Sequence, residues 1–227
     1  LRDFFTLRRQ NRRSAHPFRI RFTAPCLADR YAPSGQTRDH YFHQDLLIAQ
    51  RIFTRAPQRH VDIGSRVDGF VAHVAAFRPI EVFDIRPLAL DVANITFRQC
   101  DLAKPPVEFQ NYCDSLSCLH TIEHVGLGRY TDTVDVDGYA RAFDTLCRIL
   151  QPGGMLYLSV PIGPERVDFN AHRCFNIRTI LALARERCDL VDFSYVDDAG
   201  DPHIGCGLSE EAIADNCNPL VAWMDAD

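Results

Sequence analysis

The sequence predicts an α/β fold, a doubly wound and mainly parallel sheet with helices on both faces. Two observations lead to this prediction. Short apolar segments, typical of buried strands, alternate with segments in which apolar residues recur at helical spacing. The strand segments are apolar on both faces, which indicates a parallel sheet covered by helices on both sides. A chain of 227 residues is long enough for one such domain with a sizeable core.

The predicted elements begin near residue 44. Helical periodicity predicts helices over 44–55, 67–75 and 139–150 and a fourth that Asn176 caps. The predicted strands are 60–63, 80–83, 95–98, 114–119, 155–160 and 190–196. We expect the Pro152-Gly153-Gly154 segment to end the third helix. The sequence leaves the last strand open: either Pro219–Trp223 supplies it, or the sheet is incomplete and pairs with a second copy as a homodimer.

Composition and charge divide the chain into an extension, 1–39, and an α/β domain, 40–227. Residues 1–22 hold seven Arg and one acid, a net charge of +6, whereas residues 189–227 hold ten acids and no basic residue, a net charge of −10. We predict an irregular, Arg-rich extension and no nucleic-acid partner, because the acidic end interrupts a basic footprint. No apolar run reaches the roughly 20 residues of a membrane span.

Cysteine usage predicts a compartment. The nine cysteines are an odd number and form no CxxC pair, and several lie in apolar segments. Buried free thiols are typical of reducing compartments, so we expect a cytoplasmic protein.

Glycine and polar residues follow the first four predicted strands. Gly64 follows the first strand and runs into a helix, and Asp84 ends the second strand 20 residues later. The third strand leads to Asp101, and the fourth delivers the segment 120–124 to the same edge of the sheet. Ligands of such sheets lie at the carboxyl ends of the strands, and an acid at the spacing of Asp84 reaches ribose hydroxyls. These residues therefore predict a nucleoside-binding cleft.

At these residues the sequence resembles the class I S-adenosylmethionine-dependent methyltransferases, which have a Rossmann-like fold. The resemblance covers roughly residues 58–195. It rests on these segments: Asp62-Ile63-Gly64, Val82-Phe83-Asp84-Ile85-Arg86-Pro87, Arg98-Gln99-Cys100-Asp101, Cys113-Asp114, Glu123-His124-Val125 and Arg148-Ile149-Leu150-Gln151-Pro152-Gly153-Gly154. Segments 40–45, 60–69, 120–129 and 169–173 further resemble an uncharacterised methyltransferase-like family that is often encoded near bacterial surface-polysaccharide genes.

The resemblance implies S-adenosylmethionine as cofactor and assigns residues to it. Asp62 and Gly64 would hold its methionine end, Asp84 its ribose and Asp101 its adenine. The pattern departs from the family after Gly64, because Arg66 and Asp68 stand where related enzymes have glycine. This departure motivates an alternative, a methyltransferase-like fold without catalysis that serves as a binding or scaffold module.

Several histidines are candidates for proton transfer, because imidazole titrates near neutral pH. We name His124, His120 and His43 as candidate general bases, and Glu123, His172 and Arg173 as candidate substrate contacts. For 120–124, a structural helix start and an inverted zinc-protease motif are the other interpretations. His172 and Arg173 could equally lie in a surface loop. We expect no metal site, since no CxxC or HxH pair supports one.

The function predicted from the sequence is S-adenosylmethionine-dependent methyl transfer to a hydroxyl or amine of a small molecule or saccharide. A saccharide acceptor and a place in polysaccharide biosynthesis are implied only by the resemblance. A nicotinamide-dependent oxidoreductase ranks last, because Gly-x-Gly-x-x-Gly and Tyr-x-x-x-Lys are both missing from the sequence.

Overall fold

A computed structural model describes residues 2–35, 37–89 and 91–207, and the backbone of Pro219–Ala226. The chain divides into two compact units, 1–36 and 37–227. The larger unit contains the central sheet and the helices that pack on it.

The smaller unit has more regular structure than the sequence predicted. Helix α1 spans Arg2–Asn11, and a 3-10 turn covers Ala28–Tyr31. The prediction of an irregular segment is wrong for α1, a polar helix that has no buried residue. Its ends favour a helix all the same, since Asp3 lies in the first turn and Arg8 and Arg9 lie in the last, as the helix dipole prefers.

Eight strands of the larger unit form one sheet, in the order β3-β2-β1-β4-β5-β10-β8-β9. The strands are β1 His60–Ile63, β2 Ile80–Asp84, β3 Ile95–Gln99, β4 Cys113–Leu119, β5 Leu150–Ser159, β6 Arg166–Asp168, β7 His172–Cys174, β8 Cys188–Val196, β9 Pro202–His203 and β10 Pro219–Ala226. Strands β1 to β5 are parallel to their neighbours within this set, and β6 and β7 form a separate hairpin.

The last strand completes the sheet within the chain. Strand β10 lies antiparallel between β5 and β8, with Ala222 opposite both Leu158 and Phe193. Pro219–Trp223 thus supplies the strand that the sequence left open. The incomplete sheet that suggested a homodimer is therefore not observed.

Helices cover both faces of the sheet, which confirms the predicted doubly wound architecture. The helices of this unit are α2 His40–Arg55, α3 Phe70–Ala75, α4 Gly138–Ile149 and α5 Ile177–Ala184. Helices α2 and α3 pack in one apolar cluster with β2 residues such as Val82, and α4 and α5 pack in a second with the next residue of β2, Phe83. Neighbouring residues of one strand therefore belong to cores on opposite faces.

Two helices begin at a side chain that caps the first turn. Asp39 begins α2 by accepting a hydrogen bond from the Tyr41 N–H at 3.1 Å, and Asn176 begins α5 by accepting one from the Arg178 N–H at 2.9 Å.

Helix α4 ends at Ile149, and β5 begins at once with Leu150. The prediction that the strand begins after Pro152–Gly154 is wrong, because Leu150 already pairs with Cys113 and the segment lies in the register shift before Met155 pairs with Ser115.

The strand order reverses between β1 and β4. From β1 the chain proceeds outward through β2 and β3, whereas β4 and β5 lie on the other side of β1. Such a reversal opens a crevice at the carboxyl ends of the strands, where open α/β sheets bind ligands.

Candidate functional site

A cavity of about 940 Å³ opens at the carboxyl ends of β1 to β5. Ile63 lines it at the end of β1 and Asp84 at the end of β2, and Gly64 and Pro161 line it just beyond β1 and β5. The predicted residues that line it are Gly64, Asp84, Asp101, His120, Glu123, His124 and His172. The sequence therefore placed seven of its ten candidates around one cavity, and the other three, Asp62, His43 and Arg173, are not among the described residues that line it.

The turn after β1 is built on glycine. Gly64 has a φ of +77°, and a Cβ atom at this position would lie 2.6 Å from Thr121 Cγ2. Thr121 Oγ1 in turn donates a hydrogen bond to the Ile63 carbonyl at 3.0 Å. A side chain at 64 would collide with Thr121, so this close approach of the two strand ends requires glycine.

Asp62 lies beneath this turn and is completely buried. It accepts hydrogen bonds from Ser117 Oγ at 2.6 Å, Ser65 Oγ at 2.9 Å and the Ser65 N–H at 3.0 Å. Burial raises the pKa of Asp62 to about 7, although the serine hydrogen bonds act in the opposite direction. Asp62 thus orders the turn from below rather than lining the cavity.

A second buried titratable group supports the same strand ends. His60 Nδ1 lies 2.8 Å from Ser115 Oγ, and His60 Nε2 lies 3.2 Å from Ser117 Oγ. Burial lowers the pKa of His60 to about 3, so the ring is neutral. Since Ser117 donates its proton to Asp62, His60 Nε2–H donates to Ser117 and Nδ1 accepts from Ser115.

Asp84 ends β2 at the rim of the cavity, where Arg86 holds it. Asp84 Oδ1 accepts from the Arg86 N–H at 2.8 Å and from Nε at 2.9 Å, and the guanidinium also binds Oδ2. The same guanidinium lies 4.8 Å from the centre of the Tyr130 ring. Asp84 is therefore placed to accept hydrogen bonds from hydroxyl groups, but Arg86 already donates to both of its oxygens.

Asp101 lines the cavity beyond β3, next to Cys100 and Leu102. Its Oδ1 accepts a hydrogen bond from the Ala103 N–H at 2.9 Å, so one of its oxygens holds a turn. This geometry accommodates both interpretations of Asp101, a turn acid and a ligand contact.

Arg66 also borders the cavity but turns away from it. Its guanidinium pairs with Asp68 through Nε at 2.9 Å and Nη2 at 2.6 Å, and 79% of its side chain is exposed. An Arg66 side chain that filled the cofactor position would favour the scaffold interpretation. In this structure Arg66 does not fill that position.

His120 and Glu123 form a pair in the wall of the cavity. His120 Nδ1 lies 3.1 Å from Glu123 Oε1, and Glu123 is only 1% exposed. His120 follows β4 with a φ of +51°, in the left-handed region that residues other than glycine seldom adopt. A carboxylate beside Nδ1 favours the Nδ1–H tautomer, and Nε2 is buried without a partner among the described residues.

His124 lies on the other side of Glu123. Its Nδ1 donates to the Ala171 carbonyl at 2.6 Å, and its Nε2 lies 3.7 Å from Glu123 Oε1, beyond hydrogen-bond range. Burial lowers the pKa of His124, so a neutral ring is favoured. Arg129 Nη1 binds the same Ala171 carbonyl at 2.9 Å.

Helix α2 contributes a different set of residues from the one predicted. His40, Tyr41, Gln44 and Asp45 line the cavity, and the rings of His40 and Tyr41 lie 5.1 and 5.3 Å from that of His120. His43 packs against Phe42 at 5.4 Å instead. As a candidate base His43 is misplaced, because helical geometry turns it away from its neighbours at 41 and 44.

Arg173 is a structural residue, which contradicts its prediction as a substrate contact. It is 5% exposed, and its guanidinium donates to the carbonyls of Val125 at 2.6 Å and of Asp135 and Val136 at 3.2 Å. It thereby holds the loop after β4 in place. His172 does line the cavity, with Nε2 3.4 Å from Asp168 Oδ2.

Sequence reasoning missed several residues of the cavity. Arg86, Arg129 and Tyr130 line it without having been predicted as site residues, although Arg86 and Arg129 lie inside segments that carry the family resemblance. Two glycines with positive φ, Gly126 and Gly128, precede Arg129 and Tyr130 and were a signal of a tight, ordered loop.

The described residues contain neither a metal cluster nor a membrane span. No group of three or more His, Cys, Asp or Glu side chains in the described ranges is arranged to hold a metal ion. None of the helices in that part of the chain is both long and apolar enough to cross a membrane.

Solved structures of methyltransferases are similar to this chain. The 1,6-didemethyltoxoflavin-N1-methyltransferase of Burkholderia thailandensis, bound to 1,6-didemethyltoxoflavin and S-adenosylhomocysteine, matches with a TM-score of 0.55 and 13% identity over 83% of this chain and 79% of its own. The N-methyltransferase NodS of Bradyrhizobium japonicum, in complex with S-adenosylhomocysteine, matches with a TM-score of 0.54 and 13% identity over 98% and 97%.

The same fold also occurs in a protein named for another reaction. The [4+2]-cyclase SpnF matches with a TM-score of 0.52 and 16% identity over 70% of this chain and 64% of its own. At such identities these likenesses show the fold alone, and the fold is the Rossmann-like class I methyltransferase fold that the sequence predicted.

One family profile matches part of the chain. Residues 90–196 match the family described as "Caenorhabditis protein of unknown function, DUF268". No curated protein matches the sequence. The matched residues include β3, β4 and β5, the loop that carries His120 and Glu123, and strand β7 with Arg173, and the family's description assigns them no activity.

Proposed function

We propose that this protein is an S-adenosylmethionine-dependent methyltransferase that acts on a hydroxyl or amine of a small molecule or saccharide. The observation that carries the proposal is the cavity at the strand ends of a class I methyltransferase fold, with Asp84 at its rim and His120 and Glu123 in its wall. We call the part lined by the ends of β1 to β3 the cofactor half. The part lined by residues from 40–45, 120–136 and 161–175 is the acceptor half.

The residues of the cofactor half fit a nucleoside cofactor. Gly64 lets the backbone approach a ligand, Asp84 supplies acceptors for two hydroxyls, and Phe83 and Leu102 supply apolar surface for a base. Arg86 must yield or share an Asp84 oxygen for a ribose to bind there. Asp101 is the candidate partner of the adenine amino group, and Asp62 holds the turn from below.

The bound cofactor would supply an electrophilic methyl group on a sulfonium. The protein's own contribution would be placement and removal of a proton from the acceptor. His120 is the best-placed base, because Glu123 orients its ring. His124 is the second candidate, and its Nδ1–H is committed to the Ala171 carbonyl.

The acceptor is defined by class. Two of the similar structures are N-methyltransferases, one of them with a small heterocyclic substrate bound, which supports a small-molecule acceptor. The saccharide acceptor and the link to polysaccharide biosynthesis rest on the sequence resemblance. His172 is a candidate acceptor contact, and the cytoplasm is the compartment that the free thiols suggest.

Calorimetry with S-adenosylmethionine tests the proposal. We expect the wild type to bind, and Asp84→Ala to lose about ten- to a hundredfold in affinity, the effect of removing a charged hydrogen-bond acceptor. Asp91→Ala removes an exposed carboxylate outside the cavity lining and is the matched control. A wild type that shows no binding at millimolar cofactor would overturn the proposal.

A further inference from the structure

Three buried polar atoms in the wall of the acceptor half lack a hydrogen-bond partner. They are Gln44 Oε1, His120 Nε2 and Glu123 Oε2, and no described residue supplies a bond to any of them. Gln44 and Glu123 are each 1% exposed. Buried polar atoms without partners are rare in folded proteins and cost free energy, so these three are positions where hydrogen bonds from a bound donor would be stabilising.

All three atoms are hydrogen-bond acceptors. Gln44 Nε2 donates to Asp45 Oδ1 at 3.3 Å, which fixes the amide with Oε1 as the remaining acceptor. Glu123 Oε1 takes the His120 Nδ1–H, and Glu123 Oε2 remains without a donor. With Nδ1–H on this bond, His120 Nε2 has no partner among the described residues and is the acceptor position of the ring. The missing partner must therefore bring donors.

The charges of this wall favour a cation. Glu123 and Asp45 line the cavity here, whereas the Arg129 and Arg166 cations of the same half bind the Ala171 carbonyl and Asp168. Burial raises the pKa of Asp45 and so weakens its negative charge, which leaves the Glu123 carboxylate as the main attraction for a cation. Burial and the neighbouring His120 lower the pKa of His40, which favours a neutral ring. The ring of Tyr41 also lines the cavity, 5.3 Å from that of His120, and aromatic rings attract ammonium groups.

We propose that the methyl acceptor is a primary or secondary amine that enters as an ammonium ion, bound by Glu123 and Gln44 and deprotonated by His120. A primary ammonium carries three donors, whereas a hydroxyl carries one. This inference rests on the proposed function and narrows its acceptor class from hydroxyl or amine to amine.

The reaction balances with these groups. The ammonium gives one proton to His120 Nε2, and the freed amine lone pair forms the N–CH₃ bond as the C–S bond of the sulfonium breaks. The positive charge moves from sulfur to nitrogen, and the sulfur leaves as a neutral thioether. The N-methylammonium product then departs, and His120 returns its proton to solvent.

The test measures binding of a minimal amine without any cofactor. His120 is followed by NMR in histidine-labelled protein, with its signal assigned by its loss in His120→Gln. Ethylammonium chloride should shift this signal saturably, with a Kd of roughly 1–100 mM for so small a ligand. Ethanol, the matched hydroxyl, should shift it at least tenfold less at equal concentration.

Charge removal completes the test. Glu123→Gln keeps the shape of the side chain and should weaken ethylammonium binding at least tenfold, whereas Glu186→Gln, at an exposed site, should leave it unchanged. Retained cooperative thermal unfolding of Glu123→Gln shows that the variant is folded, and a variant that unfolds is replaced by Gln44→Leu, which removes the amide acceptor alone. Equal responses to ethanol and ethylammonium, or no saturable response, would overturn the inference. Because no cofactor is present, this outcome is separate from a failed S-adenosylmethionine titration.

Discussion

The two halves of the cavity differ in how the chain builds them. The cofactor half consists of residues that directly follow β1, β2 and β3, so each side chain is fixed by the end of its strand. The acceptor half consists largely of loops that are held by contacts between residues far apart in sequence, such as the hydrogen bond from Arg173 to the Val125 carbonyl, 48 positions away. Site residues that directly follow a strand can be predicted from the sequence, whereas the positions of loops held by contacts far apart in sequence cannot.

Arg173→Ala breaks the acceptor half and has the largest expected effect. The buried guanidinium bonds the carbonyls of Val125, Asp135 and Val136, and its loss removes these bonds and leaves the Asp135 carbonyl with only the Gly138 N–H. We expect the free energy of unfolding to fall by about 4 kcal/mol, since hydrogen bonds to charged groups contribute roughly 1.5–3 kcal/mol each and are not additive. Urea denaturation measures it.

The control for this prediction is Arg185→Ala, which removes an exposed arginine from the end of α5. It should change stability by less than about 0.5 kcal/mol. S-adenosylmethionine affinity of Arg173→Ala should stay within a few-fold of the wild type below the unfolding transition. A variant that loses less than about 1 kcal/mol would show that the loop does not depend on this residue.

Arg173 is an example of a residue whose role could not be predicted from the sequence. The spacing of Gly64, Asp84 and Asp101 at strand ends was sufficient to place them at one cavity, because parallel strands carry their carboxyl ends to one edge. Nothing in the segment 170–173 distinguishes an arginine that faces the cavity from one that faces carbonyls 37 to 48 residues away. Asp62 was likewise recognised as important, but its burial beneath the turn depends on Ser117 from another strand.

The pH dependence of the free energy of unfolding tests the cofactor half, because two buried groups whose pKa values are shifted in opposite directions support it. The pKa of Asp62 is raised to about 7, so its contribution to stability is complete below about pH 4 and is lost as the pH rises through 7. The pKa of His60 is lowered to about 3, so its contribution is present above about pH 6.5 and is lost as the pH falls toward 3. Between about pH 4.5 and 6.5 the two slopes cancel.

Single variants should expose each slope. The stability of Asp62→Asn relative to wild type should rise with pH by about 1.4 kcal/mol per unit, or about 3 kcal/mol from about pH 4.5 to 6.5. His60→Gln should show the opposite slope, and the double variant should run parallel to wild type. Denaturant unfolding at several pH values measures all three, and parallel curves for the single variants would contradict the prediction.

Gly64→Ala tests the point where the two halves meet. A Cβ at this position would lie 2.6 Å from Thr121 Cγ2, and the φ of +77° is strained for alanine. We expect a loss of about 2 kcal/mol in stability and at least about tenfold weaker S-adenosylmethionine binding. Chemical denaturation and calorimetry provide the measurements.

Its control is Gly207→Ala, where an added Cβ would meet nothing within 4 Å. Adding Thr121→Ala to Gly64→Ala removes the colliding methyl and hydroxyl groups, so part of the loss should return while the strain of φ remains. If the double variant is no better than Gly64→Ala, then the close approach of the strands is not the reason for glycine.

Arg86→Ala gives the smallest expected effect and decides which arginine governs cofactor entry. The sequence pointed to Arg66, but this side chain is exposed and pairs with Asp68, whereas Arg86 occupies both oxygens of Asp84. Because the Arg86 pair is partly exposed, its removal should raise S-adenosylmethionine affinity by only about two- to fivefold. Arg66→Ala, measured by the same calorimetry, should change the affinity less than about twofold. A fall in affinity for Arg86→Ala would mean that Arg86, held over Tyr130, binds the cofactor instead of competing with it. Because Tyr130 belongs to the acceptor half, the cofactor would then contact both halves of the cavity.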